Sequence, residues 1–303
     1  MKDNRALFKN GFSNAENVFY LTDAQVKKMQ RITLSIFKDF LRVADKYHLN
    51  YCMGGGSALG AVRHHGFIPW DDDIDVNIPR KDYNQFLEVF DRELGQDYEL
   101  CAPERGNLHG LACTQMKKKG TIYRSFEELS KPHPGIGIDF FVIENVYNSP
   151  VRRKAEGYLS LAMGYLLTCR KTYHEMPYLR KYIENVPSLR KAFEKKARFG
   201  RMISWISLDR AAELVAKQYS KCKDEHSKYV TVPSGRKHYF GEMYPRPYLC
   251  ETVFMPFEDI QVRVAKEYDA YLSHLYGSDY MKIPPEGRHE QHPIMELDFG
   301  DSI

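Results

Sequence analysis

Asp73 and Asp75, in the run Asp71-Asp-Asp-Ile-Asp-Val76, are the two carboxylates of this chain best placed to hold a divalent cation. Polar and apolar residues alternate from 73 to 78, which predicts a strand with Asp73, Asp75 and Asn77 on one face and Pro79 at its end. Its flanks, Ile68-Pro-Trp70, Ile74, Val76 and Ile78, are apolar, so the strand is expected to be half buried. Burying several carboxylates without a counter-ion is costly, and a bound cation is the ordinary remedy. About fifteen residues upstream, Gly54-Gly-Gly-Ser57 precedes Ala58–Val62, a short predicted helix. Backbone N–H groups of Gly55, Gly56 and Ser57, with the positive end of the helix, would suit a phosphate. A glycine turn after a strand serves a purely structural role as readily. Together the two halves predict metal-assisted chemistry at phosphorus, with Mg²⁺ the expected ion and Mn²⁺ the alternative. Asp139, within the apolar strand pattern Gly137-Ile-Asp-Phe-Phe-Val-Ile143, is a third candidate. It would join the same metal, act as a base, or be neutralised by a buried Arg or Lys. A calcium-binding EF-hand loop starting at Asp71 is excluded, because Val76 stands where the glycine must be and Asp82 where the bidentate Glu belongs.

The elements around these residues follow from periodicity. Thr22-Asp-Ala-Gln25 has capping-box spacing and opens a helix whose apolar positions (Met29, Ile32, Ile36, Phe40) recur every three or four residues. A short strand at Tyr51–Met53 leads into the glycines. Residues 80–94 form a second amphipathic helix with Gly95 just beyond its end. Tyr98–Cys101, Leu111–Lys117 and Thr121–Arg124 read as strands, the last two joined through Lys119-Gly120, which makes Lys117–Lys119 a solvated hairpin end, with contact to phosphate the lesser reading. Residues 1–148 are thus expected to be an α/β (α+β) core with a mixed sheet, 149–229 a basic helical region, and 230–303 a strand- and turn-rich segment that returns to the core.

The 303 residues allow one or two domains, and 44 basic against 40 acidic residues do not mark a nucleic-acid binder. Scattered cysteines without a Cys-x-x-Cys pair argue against a zinc site or disulfide framework. The first residues lack an apolar signal core and no run approaches a membrane span, so a reduced cytoplasmic compartment is expected. Residues 151–201 hold thirteen Lys/Arg against four Glu, a net +9 in a chain of net +4. Two readings stand open there. The apolar stretch 157–169 is a buried helix with solvated neighbours, or the basic helices rest peripherally on anionic lipid at the inner face of the cell membrane.

A Gly-Ser turn, an Asp-h-Asp-h strand (h apolar) and a later h-Asp-h strand form the signature of the nucleotidyltransferase fold. The segments of this chain that resemble it are Gly56-Ser57, Asp73-Ile-Asp75-Val76 and Ile138-Asp139-Phe140. Within that fold the chain resembles the LicD family of phosphocholine transferases. The match runs through Leu59-Gly-Ala-Val-Arg63, Gly66–Asp75 and Asp82-Tyr83, then Asp139, Phe257-Glu258, Tyr271-Leu272, Tyr276-Gly277 and Pro284-Pro285. Val142 replaces a proline common in the family. The resemblance implies transfer of phosphocholine or a similar phospho-alcohol from a CDP-alcohol, CDP-choline foremost, to a hydroxyl of a glycan or lipid-linked saccharide, with release of CMP. Asp73 and Asp75 would then hold Mg²⁺, and Asp139 would ligate a second ion or deprotonate the acceptor. Arg63 would fork onto a phosphate, Trp70 would wall the site or pack beneath the strand, and Arg288 would return to it from the tail. Asp71 and Asp72 are expected in supporting roles, and His64 and His65 face substrate or cap a turn. His289-x-x-His292 suggests a metal only faintly. A nucleotidyltransferase acting on an NTP and a metal-dependent Asp-x-Asp glycosyltransferase are the competing activities, and a scaffold without turnover is the non-enzymatic one.

Overall fold

The computed structural model describes residues 18–106, 109–286, 289 and 291–300. Helix α1 (Asp23–Lys46) opens on the capping box: Thr22 Oγ1 accepts from the Gln25 amide, and the Thr22 amide donates to Gln25 Oε1. Its apolar face, including Ile36, Phe37 and Phe40, is fully buried against the sheet, with the Phe40 ring on Phe86 and Phe140. Strand β1 (Cys52–Met53) and helix α2 (Gly55–His64) follow, then β2 (Asp75–Pro79) and α3 (Arg80–Glu93). Next come β3 (Tyr98–Cys101), β4 (Thr114–Lys118), β5 (Ile122–Arg124) and the ten-residue β6 (Gly137–Val146).

The helical region consists of α4 (Pro150–Ile183), α5 (Pro187–Met202) and α6 (Leu208–Tyr219). The remaining elements are β7 (Tyr229–Thr231), α7 (His238–Gly241), β8 (Met243–Pro245), α8 (Arg246–Cys250), β9 (Thr252–Phe257), β10 (Ile260–Ala265), α9 (Tyr268–Tyr276) and β11 (Glu296–Asp298). A mixed sheet runs β1-β2-β6-β4-β3, and β7, which itself pairs with β8, adds to the far end of β6. Only β2 and β6 are parallel in it. The fold is α/β with a mixed sheet, and Tyr244, Phe257, Val262 and Tyr271 from the C-terminal third belong to the same apolar core as α1 and β2. The helices α4–α6 build two smaller apolar clusters of their own.

Three expectations are corrected. The strand begins at Asp75, so Asp73 stands on an irregular lead-in, fixed where the Gln30 amide donates to the carbonyls of Ile68 and Asp71. Strands β4 and β5 do not pair. β4 has both edges taken by β3 and β6, and the chain turns out at Gly120 (φ +76°) so that β5 pairs with β11. Lys117 is accordingly no solvated hairpin end. It is buried in an ion pair with Glu128, which Lys131 also contacts at 3.1 Å. Burial opposes the charge on Glu128, but the two lysines prevail and hold its carboxyl down at about 2.

Candidate active site

The glycine turn is dictated by how closely carboxylates approach it. A Cβ on Gly55, where φ is +43°, would lie 2.6 Å from Asp75 Oδ2, and one on Gly56 2.8 Å from Asp71 Oδ2. Much of the hydrogen bonding of the turn is internal. The Gly54 amide donates to the Asp75 carbonyl at 2.8 Å, and the Gly55 amide to the Tyr271 hydroxyl at 3.0 Å. Ser57 Oγ is buried and accepts from the Asp75 amide at 2.9 Å. Of the first-turn donors that a helix cannot use itself, the amides of Gly56 and Ser57 remain. Gly56 lines a cavity of about 610 Å³ together with Asp71, Asp73, Asp75 and Asn77.

Strand pairing brings the third carboxylate into place. Asp75 and Asp139 are register partners on the parallel strands β2 and β6, so their side chains leave the same face one strand spacing apart. The Gln115 amide, opposite Asp139 on β4, donates to Asp139 Oδ1 at 2.9 Å. Burial, then the Asp73 charge, push Asp139 up to about 7 despite that hydrogen bond. Asp75 is pushed well above its ordinary value by burial and by Asp73, Asp139 and Asp71; Asp71 is raised by burial and by Asp73 and Asp72. The cluster is therefore short of positive charge.

His292 supplies part of it. Its Nδ1 lies 2.9 Å from Asp72 Oδ1, and although desolvation pulls the ring down, Asp72, Asp73 and Asp71 hold it well above its ordinary value. Among the described residues, Asp72, Asp73 and His292 have ligand atoms within 4.8 Å of one another. Both oxygens of Asp72 are already engaged, however, Oδ2 accepting from the Tyr123 hydroxyl at 3.1 Å. Asp71, Asp73 and Asp75 are the carboxylates of this cluster that line the cavity. Hard oxygen donors of this kind fit Mg²⁺ or Mn²⁺, and the excess negative charge of the cluster is what such an ion would neutralise.

The rest of the cavity's lining includes residues of the C-terminal third: Tyr271, Tyr276, Asp279 and Tyr280, with Arg236 and Glu242. The Arg236 guanidinium lies 5.5 Å above the Tyr276 ring. Arg63 lines the cavity, and its Nη1 donates to the carbonyls of Tyr280 (2.8 Å) and Lys282 (3.2 Å), so it clamps the tail to α2. Trp70 lines the cavity, and its ring stacks on His289 at 3.4 Å. Arg288 lies outside the described residues. Sequence reasoning missed Tyr271, Tyr276, Asp279, Arg236, Glu242 and the Asp72–His292 pair. The tail motifs Tyr271-Leu272 and Tyr276-Gly277 were visible, but nothing in them announces a partner about 200 residues away.

Residues 48–149 match the family profile described as "LicD/FKTN/FKRP, nucleotidyltransferase domain". Over those residues the chain is similar to the LicD family. The lipopolysaccharide cholinephosphotransferase LicD of Haemophilus influenzae is 27% identical over 276 residues, covering 89% of this chain and 97% of that protein. Two uncharacterized rickettsial proteins match locally: one from Rickettsia typhi at 39% over 75 residues, 23% of this chain and 24% of its own length. The other, from Rickettsia prowazekii, is 41% identical over 81 residues, 24% of this chain and 30% of its own length.

Proposed function

We propose that this protein is a LicD-type transferase that moves phosphocholine, or a similar phospho-alcohol, from a CDP-activated donor to a saccharide hydroxyl, releasing CMP. The observation that carries the reading is that two groups of residues line one cavity. Asp71, Asp73 and Asp75 lie beside the first turn of α2, and Tyr276, Asp279 and Tyr280 come from the C-terminal third. The first group suits a metal-bound diphosphate, and the second suits a cationic alcohol such as choline, which aromatic faces and a carboxylate attract. The name of the Haemophilus relative supports choline phosphate as the group moved and a lipopolysaccharide as the acceptor class.

Asp73 and Asp75 would hold Mg²⁺, which when bound neutralises charge developing on the diphosphate. The Gly56 and Ser57 amides donate to a phosphate oxygen, and Arg236 adds a cation at the same cavity. Asp139, raised to about 7, accepts the proton of the attacking hydroxyl, with Gln115 fixing its orientation. The new bond joins the acceptor oxygen to phosphorus, the bond from phosphorus to the CMP oxygen breaks, and the electron pair leaves on CMP.

The test is to incubate the protein and Mg²⁺ with CDP-choline, CDP-ribitol or CDP-glycerol beside candidate glycans and to measure CMP. Release from one donor that the Asp73→Asn variant lacks is the expected result. Release from none of them overturns the reading, and pyrophosphate from an NTP would replace it with nucleotidyl transfer.

A further inference from the structure

Helix α4 is inside out over its first half. A helix on the surface of a globular protein turns its apolar stripe to the core. Here Val151, Tyr158, Leu159, Tyr165 and Leu166 face solvent, Tyr158 being 67% exposed. The buried side carries Glu156, Gly157 and Ser160. Gly157 is pressed onto Tyr239 and Phe240, and Glu156 accepts from the Gln218 amide at 2.7 Å. At 100° per residue the five apolar side chains occupy an arc of about 120° and run about 22 Å along the helix. Exposed Arg152 and Lys154 border that arc on its two sides.

The turn after α5 extends the surface. Gly200 meets the Cys169 carbonyl, and Arg170 Nε donates to the Ile206 carbonyl at 2.9 Å, so this turn lies against α4 just beyond Leu166. The end of α5 and this turn expose Phe199, Met202 and Trp205, the last at 82%, among Arg198 and Arg201.

We infer that this face is a docking surface for an anionic lipid bilayer, with α4 lying in the plane of the interface. The occupant follows from charge: thirteen Lys/Arg against four Glu between 151 and 201 attract an anionic surface, whereas a second copy of the chain would bring the same positive charge to itself. The mode is in-plane, since no described helix is long and apolar enough to cross a membrane. Segment 235–242 joins the face to the reaction cavity. The Phe240 ring packs on Tyr158 at 5.1 Å, while Gly235, Arg236 and Glu242 line the cavity.

The experiment is sedimentation of the full chain with vesicles of phosphatidylcholine alone or with added phosphatidylglycerol, followed by tryptophan emission. No donor or acceptor is present, so the outcome is separate from that of the transfer assay. The chain has two tryptophans, and Trp205→Phe isolates the signal of the exposed one. Binding to phosphatidylglycerol vesicles with a blue shift that Trp205→Phe removes is expected. Leu159→Gln with Leu166→Gln should weaken it at least ~tenfold with an unchanged thermal midpoint, and Arg152→Gln with Lys154→Gln should weaken it about tenfold and flatten its salt dependence. Absence of binding by the parent, or equal binding by the Leu159/Leu166 variant, overturns the inference. So does a dimer in sedimentation velocity that the same variant dissociates while vesicles bind neither protein.

Discussion

Asp73 and Asp139 sit in one charge cluster but are expected to fail differently when changed. Asp73→Asn keeps the side chain's shape and removes the charge facing the cavity. CMP release is therefore expected to fall by a factor on the order of a thousand, with Mg²⁺ affinity reduced in the same titration and the circular dichroism spectrum unchanged. Asp139→Asn leaves the cavity-facing carboxylates in place and removes the proton acceptor. A loss of about 10²- to 10⁴-fold in kcat is expected, with KM for the donor nearly constant. A fall in donor affinity instead would assign Asp139 to binding. The carboxylates were legible from types and spacing, because Asp-x-Asp among apolar neighbours is unusual. Which of them face the cavity was not, since Asp72 and Asp73 differ only in what folds back onto them: Tyr123 and His292 take Asp72.

At the scale of elements, the tail holds the glycine turn in shape. The Tyr271 hydroxyl accepts from both the Gly55 amide and the Asn77 side-chain amide. Tyr271→Phe leaves those buried donors without their acceptor, a cost of about 2 kcal/mol in urea unfolding, and is expected to slow transfer by loosening the turn. The Lys117–Glu128 pair makes a similar point on the face of β4 that also carries Gln115. Lys117→Met leaves Glu128 buried with less compensation and should cost about 3 kcal/mol, while Lys117→Met with Glu128→Leu should recover most of it. The helices α1 and α3 were readable because amphipathic periodicity is local. The fate of β5 was not, because the choice between a hairpin with β4 and pairing with β11 is made by strands far away in sequence.

The whole molecule carries its site as a burden on stability. Buried carboxylates with raised pKa values mean a net excess of negative charge, so Mg²⁺ is expected to raise the thermal midpoint of the parent and not that of a protein with both Asp73→Asn and Asp75→Asn. Glu242, buried in the cavity wall and pushed up to about 7 by burial, gives a pH dependence with a definite sign. Between its ordinary value and 7 the unfolded chain releases this proton before the folded one does, so stability falls as pH rises through that window and levels off above it. Glu242→Gln removes the effect. The variant should match the parent in denaturant near pH 4.5 and exceed it by about 3 kcal/mol near pH 8, and parity at both would exclude Glu242 as the source. By itself the sequence determined the helices, most strands, the Asp-x-Asp and the glycine turn, because periodicity, capping and close spacing act over a few residues. The tertiary structure alone decided that Asp139 pairs with Asp75, that Tyr271 and Tyr276 complete the cavity, and that α4 turns its apolar face outward. Those are contacts between segments distant in sequence, fixed by sheet register and packing against the rest of the core.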